Sequence, residues 1–168
     1  LLEKKQALDA DAQEKIRGWC AGMFRYYEGF AGEENHFLPP DNVQFFPQYA
    51  QARRTSPTNI GMMLLSYLAA RDLGLWDSAA LAERLERVLD TLGELKTYAG
   101  NLYNWYSTET LEVLPDGFIS FVDSGNYLCA LAALREGLRE YEPEEPRLQA
   151  CGETIEKILK TTDLSVFY

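Results

Sequence analysis

Two segments of the chain are apolar on every side of a helix: Ile60-Gly-Met-Met-Leu-Leu-Ser-Tyr-Leu-Ala-Ala70 and Tyr127-Leu-Cys-Ala-Leu-Ala-Ala-Leu134. A helix without a polar face has to be surrounded by protein. Three other segments carry the one-sided pattern of a surface helix. Residues 7–30 align Leu8, Ala12, Ile16, Trp19, Cys20, Met23, Phe24 and Tyr27. Residues 78–98 align Leu81, Leu85, Val88, Leu89, Leu92 and Leu95 opposite Glu83, Arg84, Glu86, Arg87 and Asp90. Residues 147–160 align Leu148, Cys151, Ile155, Ile158 and Leu159 against charge. The order is outer, inner, outer, inner, outer. That alternation predicts an all-α fold of inner and outer helical hairpins, an incomplete α/α barrel with one ring of helices packed inside another.

The connections follow the same logic. Links from an inner to an outer helix are short, Gly74-Leu-Trp-Asp77 and Tyr141-Glu-Pro-Glu-Glu-Pro146, whereas the outer-to-inner links run over residues 32–55 and 99–122. Long ordered loops in a compact domain are usually functional. Because the helices alternate in direction, both long loops fall at one end, beside the N-termini of the inner helices. Ser56-Pro-Thr-Asn59 and Asp123-Ser-Gly-Asn126 open those helices with residues that can cap a first turn. Asn59 and Asn126 sit one turn in, where an amide can point to the rim. Tyr103 to Thr108 reads as a short strand, with a turn at Glu109-Thr110 leading to Leu111–Leu114.

Aromatic rings mixed with Asp, Asn and Arg suit a sugar. A pyranose stacks its C–H face on an aromatic ring, and its hydroxyls pair with planar carboxylate, carboxamide and guanidinium groups. Trp105 and Tyr106 are the candidate stacking platform. Asp41, Asn42, Arg54, Thr55, Asn59, Asn104, Asp123 and Asn126 are candidate hydroxyl partners. The competing reading has the aromatics packing the loop down and Asp41-Asn42 forming an Asx turn after two prolines. His36, the single histidine, has no partner pattern and is expected to be structural. Arg53 and Arg54 are too few for a nucleic-acid patch, and one of them is expected to pair with Asp41 or Asp123. A helix N-terminus lowers a carboxyl pKa, so Asp41 and Asp123 suit ligand binding better than general-acid chemistry.

Charge narrows the partners. With 16 Lys and Arg against 26 Asp and Glu, the formal net charge is −10. Nucleic acids and anionic membranes call for basic patches, so neither is expected as a partner. No apolar run reaches the roughly 20 residues that a membrane span needs, so no direct membrane contact is expected in this segment. Cys20, Cys129 and Cys151 lie within helical patterns at spacings unlike a metal site. They are expected to be small buried apolar residues in a reducing, cytoplasmic compartment, with no metal and no cofactor. The chain opens on Leu-Leu-Glu-Lys-Lys and stops on the apolar run Asp163-Leu-Ser-Val-Phe-Tyr168. Both ends are expected to be cuts in a longer chain, and residues 1–168 to be the N-terminal portion of one domain.

Five motifs, Phe37-Leu-Pro-Pro-Asp-Asn-Val-Gln44, Arg54-Thr-Ser-Pro-Thr-Asn-Ile-Gly61, Ala69-Ala-Arg-Asp-Leu-Gly74, Leu102-Tyr-Asn-Trp-Tyr106 and Val122-Asp-Ser-Gly-Asn126, resemble in order the signature of the middle domain of cyclic β-1,2-glucan synthases. The resemblance runs from about residue 33 to the end. That region is glucoamylase-like and lies between a membrane-bound glycosyltransferase part and a part similar to cellobiose phosphorylases. The resemblance implies an (α/α)6 barrel that cuts a linear β-1,2-glucan and closes it into a ring with retention at the anomeric carbon. It implies catalytic acids beyond Tyr168, leaving a glucan oligosaccharide-binding rim here. Five helices are less than half of such a ring, so the inner helices should expose apolar faces through which the isolated segment forms a homodimer. The alternative is a non-catalytic helical scaffold that binds proteins. It would bury Trp105 and Tyr106 and use an outer-helix face.

Overall fold

The computed structural model describes residues 8–168. Five α-helices carry the architecture: α1 (Ala10–Phe30), α2 (Pro57–Asp72), α3 (Ser78–Glu94), α4 (Phe121–Leu138) and α5 (Arg147–Thr161). Each coincides with an expected segment, although the expected start at residue 7 lies outside the described residues. Side-chain caps fix four of the five beginnings. Asp9 accepts from the Ala12 amide, Ser56 from Asn59, Asp77 from Ala80 and Ser120 from Asp123. Pro57 follows Ser56 at a position where its missing N–H costs nothing. The cap of α4 is therefore Ser120, and Asp123 sits inside the first turn. Phe121 and Val122 are 52% and 67% exposed, and Asp123-Ser-Gly-Asn126 separates them from the apolar run that marked the helix.

The fold is helix-rich, and its loops add short strands, one of them within the stretch Tyr103 to Thr108 expected to be extended. Among the described residues, seven short strands form three antiparallel sheets. β1 (Asn42–Gln44) pairs with β2 (Ala50–Ala52), and β4 (Thr97–Tyr98) pairs with β5 (Asn101–Leu102). β3 (Arg54–Thr55), β6 (Asn104–Ser107) and β7 (Val113–Phe118) form the third sheet in that order. The β4–β5 hairpin also ends α3 at Glu94, four residues before its expected end, with Leu95 already extended. Ala99 and Gly100 turn the hairpin with positive φ of 50° and 79°. A Cβ on Gly100 would lie 2.8 Å from the Thr161 carbonyl oxygen and from Thr162 Cα, so only glycine lets this turn meet the end of α5.

The core lies among α2, α3, α4 and α5. Ile60, Met63, Leu64, Leu81, Leu85, Val88, Leu131, Leu134, Leu138, Leu148 and Ile155 are fully buried in one cluster, each contributing about 1.5–3 kcal/mol on burial. α2 and α4 approach closely at Gly61, where a Cβ would stand 3.0 Å from Ala130 Cβ and 3.3 Å from Tyr127 Cα. Two expectations about burial are corrected, for α1 and for the cysteines. Of the apolar face of α1 only Phe24 is buried, while Leu8, Ile16, Trp19 and Met23 are exposed. α2 and α4 keep one open flank, at Met62 on α2 and at Cys129, Ala132 and Ala133 on α4, the apolar exposure expected for these two helices. Cysteine burial is mixed: Cys151 is buried, Cys20 half-buried and Cys129 exposed. No helix among the described residues is long and apolar enough to cross a membrane.

Candidate functional site

The two long loops meet at the end where α2 and α4 begin. β3 pairs antiparallel with β6, Arg54 opposite Ser107 and Thr55 opposite Tyr106. β3 leads directly into the Ser56 cap of α2, and β7 leads into the Ser120 cap of α4. The sheet thus carries loop side chains up to the first turns of both helices.

Arg54 is the centre of the first cluster. Trp105 lies two residues from the partner of Arg54 on β6, so the two side chains are diagonal neighbours on one face. The guanidinium lies 4.5 Å from the Trp105 ring centroid, the geometry of a cation–π contact. Its Nε and Nη2 donate to Asp41 Oδ2 at 3.3 and 3.0 Å. Asp41 Oδ1 accepts from Asn59 Nδ2 at 3.3 Å, and Asn42 lies at the margin, 3.5 Å from Asp41 Oδ2. The pair is half open, with side chains 46% and 20% exposed. It therefore adds little stability; its geometric effect is to hold the guanidinium over the indole. Upstream, Tyr26 donates to the Pro40 carbonyl at 2.7 Å, which fixes the chain entering Asp41.

Asp123 organises the second cluster. Its Oδ1 accepts from Thr58 Oγ1 at 2.7 Å, and Thr58 Oγ1 accepts from Asn126 Nδ2 at 3.1 Å. Partial burial disfavours the charged carboxyl, but hydrogen bonds from Ser120, Thr58 and Asn104 outweigh it and hold the pKa below the ordinary aspartate value. The lowering expected from helix position is present, with side-chain donors as its main cause. A folded-state pKa below the unfolded one contributes stability above the unfolded value, lost as pH falls through the folded value. Asp123→Asn is therefore expected to flatten the acid limb of the stability profile below about pH 4, as read by urea unfolding across that range.

The other expected residues separate by burial. Tyr106 is fully buried, its hydroxyl donating to the Lys96 carbonyl at 2.6 Å and accepting from the Tyr103 amide at 2.9 Å. Burial pushes its phenol up to about 12. It braces the loop from inside and offers no face for stacking, which corrects its pairing with Trp105 as a platform. Thr55 is buried too, its Oγ1 without a partner among the described residues, so it is no surface hydroxyl donor. Asn104 is buried against Asp123, while Trp105 is half-buried and Asn126 exposed. His36 packs Nδ1 2.8 Å from the Thr108 carbonyl, and Arg53 pairs with Glu109 at 2.7 Å. Thr58 escaped sequence reasoning. It lies within Ser56-Pro-Thr-Asn59, read from sequence only as a capping motif, and the structure sets it on α2 across from Asp123 on α4.

A family model described as a protein of unknown function (DUF3131) matches residues 41–148. Cyclic β-(1,2)-glucan synthase NdvB of Rhizobium meliloti (strain 1021) is 40% identical over 139 residues, 83% of this chain. The chain spans only 5% of that relative's length. An endo-β-1,2-glucanase from Chitinophaga pinensis, crystallised with sophorotriose and glucose, superposes with a TM-score of 0.77 at 18% identity, over 96% of this chain and 38% of its own. A glucoamylase-like protein from Bacteroides fragilis NCTC 9343 gives 0.73 at 19%, over 97% and 39%. At those identities the likeness is one of fold, and it extends the helix-rich architecture of glucoamylase-like proteins to this chain. The family match begins at Asp41 and takes in both clusters and the four helices from α2 to the start of α5, and on that match the chain belongs to the DUF3131 family.

Proposed function

We propose that this chain supplies part of the saccharide-binding rim of a β-1,2-glucan-processing domain, and that residues 1–168 are the N-terminal portion of its (α/α)6 barrel. The observation that carries the reading is the Arg54 guanidinium lying over the Trp105 ring, 4.5 Å from its centroid, with Asp41 behind it and the Asp123 cluster on the neighbouring helix. A half-exposed indole offers apolar surface to a pyranose C–H face. The guanidinium and carboxylates offer planar donors and acceptors for hydroxyls, and Arg54 Nη1 has no partner among the described residues. The identity to a cyclic β-(1,2)-glucan synthase and the fold likeness to a glucanase crystallised with sophorotriose support the substrate class.

The chemistry of bond cleavage belongs elsewhere in the parent protein. A general acid needs a raised pKa and a nearby partner carboxylate. Asp123 is held ionised and Asp41 is held by Arg54 and Asn59, so both suit hydroxyl binding. The reading puts the catalytic acids in residues beyond Tyr168, and the transglycosylation with them. The open flanks at Met62 and Cys129 are where further helices of the barrel would pack. In the isolated segment those flanks would pair two copies. Free cysteines at 20, 129 and 151 agree with a cytoplasmic setting.

Trp105→Ala in the parent protein is expected to raise the KM for linear β-1,2-glucan by about tenfold or more, the cost of a lost aromatic anchor, with little change in its thermal unfolding. A KM within about twofold of the parent's removes Trp105 from the site. The scaffold alternative draws on the buried Tyr106 and on Trp19 and Met23, each 68% exposed on α1. It predicts that Trp105→Ala leaves the KM unchanged and that a charge at Trp19 breaks a protein complex.

A further inference from the structure

β3 is two residues long, and a ladder that short does not hold its own register. A slip of one residue would turn Arg54 to the other face of the sheet and away from Trp105. What fixes the register lies one position beyond the strand. The Thr108 amide donates to the Arg53 carbonyl at 3.1 Å. Thr108 is itself fully buried, and its Oγ1 donates to Asn35 Oδ1 at 2.7 Å. Asn35, also fully buried, donates through Nδ2 to the Phe30 carbonyl at the end of α1 at 2.8 Å. The Thr108 carbonyl meets His36 Nδ1 at 2.8 Å, and the His36 carbonyl accepts from Thr91 Oγ1 on α3 at 2.8 Å. Side chains 73 residues apart are thus joined in a satisfied buried network, which specifies one arrangement because any other leaves a polar group unpaired.

We propose that Asn35 and Thr108 are positioning residues. Their buried hydrogen bond anchors the turn after β6 to the ends of α1 and α3, and through the Thr108–Arg53 rung it sets Arg54 on the Trp105 ring. Neither residue reaches the rim. The consequence for saccharide binding rests on the rim reading; the consequence for the Arg54–Trp105 geometry does not.

The test is the chemical shift of the Arg54 Nε–H proton, which the indole ring current moves upfield in a guanidinium stacked on it. Thr108→Val keeps the shape of the side chain and strands Asn35 Oδ1, and is expected to abolish the upfield shift. Thr108→Ser keeps the hydroxyl and is expected to retain it. Leu148→Ala, in the core away from this network, lowers stability and is expected to retain the shift, separating positioning from general destabilisation. An unchanged shift in Thr108→Val, or an equal loss in Leu148→Ala, overturns the proposal. Should Thr108→Val fail to fold, Thr91→Val, which removes only the bond to the His36 carbonyl and its local partner, is expected to reduce the shift, and an unchanged shift there overturns it. Binding of linear β-1,2-glucan is measured on the same variants in the parent protein. A several-fold affinity loss in Thr108→Val supports both readings. A lost shift with unchanged affinity supports the positioning role and sinks the rim reading.

Discussion

Tyr67→Ala is expected to lower the unfolding free energy by about 3–5 kcal/mol, near the upper end for a core truncation. The ring is 1% exposed and is the meeting point of three elements. It meets Phe24 edge-on at 6.1 Å, Tyr27 at 6.4 Å and Trp76 at 5.1 Å between centroids. Phe24 is the buried residue of α1, so removing Tyr67 takes away the surface on which α1 docks as well as leaving a cavity. Faster amide exchange along α1 than along α4 is the expected local signature. Tyr67→Phe separates the ring from the hydroxyl. That hydroxyl is buried without a hydrogen-bond partner among the described residues, and burial raises its pKa well above the ordinary phenol value. Deleting it therefore forfeits no bond, and the phenylalanine variant is expected to stay within about 1 kcal/mol of the parent in urea unfolding.

Arg54→Ala is expected to weaken binding of linear β-1,2-glucan by about 10- to 100-fold while changing stability by about 1 kcal/mol or less, because its ion pair is half exposed. The two effects part company because Asp41 and Trp105 hold the guanidinium in place, while on the rim reading its free edge is what meets a ligand. Arg54→Lys is not expected to rescue binding, since a point charge on a flexible stem cannot lie flat on the indole or donate in a planar fork. Asp41→Asn is expected to be non-additive with Arg54→Ala, because both act through the same hydrogen bonds at 3.0 and 3.3 Å. Additive losses would mean that Asp41 and Arg54 contact the ligand independently.

Much of this was legible in the chain. The apolar run around Tyr67 and the one around Leu131 marked helices α2 and α4, and the length of the links between helices marked the end where the loops gather. Apolar pattern failed where burial depends on distant neighbours. Trp19 and Met23 have the spacing of a core face, yet no element packs on them among the described residues. Tyr106 and Trp105 are adjacent aromatics in a strand, and alternation puts one inside and one at the rim. Nothing in their identities says which. Asp123 read as a cap because it opens the apolar run, but Ser120 stands three residues earlier with the better geometry, and this frees the carboxylate for Thr58. The strands β1 to β5 are two or three residues long, too short for any period to show. The Asn35–Thr108 bond joins residues too far apart in sequence for spacing to reveal.

The most direct measurement is a crystal structure of the complete parent domain with a β-1,2-linked glucose oligosaccharide at saturating concentration. The account predicts a glucosyl ring in van der Waals contact with Trp105, with hydroxyls hydrogen-bonded to Arg54 and to Asp41 or Asp123. An occupied saccharide site elsewhere in the domain, with Trp105 and Arg54 covered by protein, would contradict it.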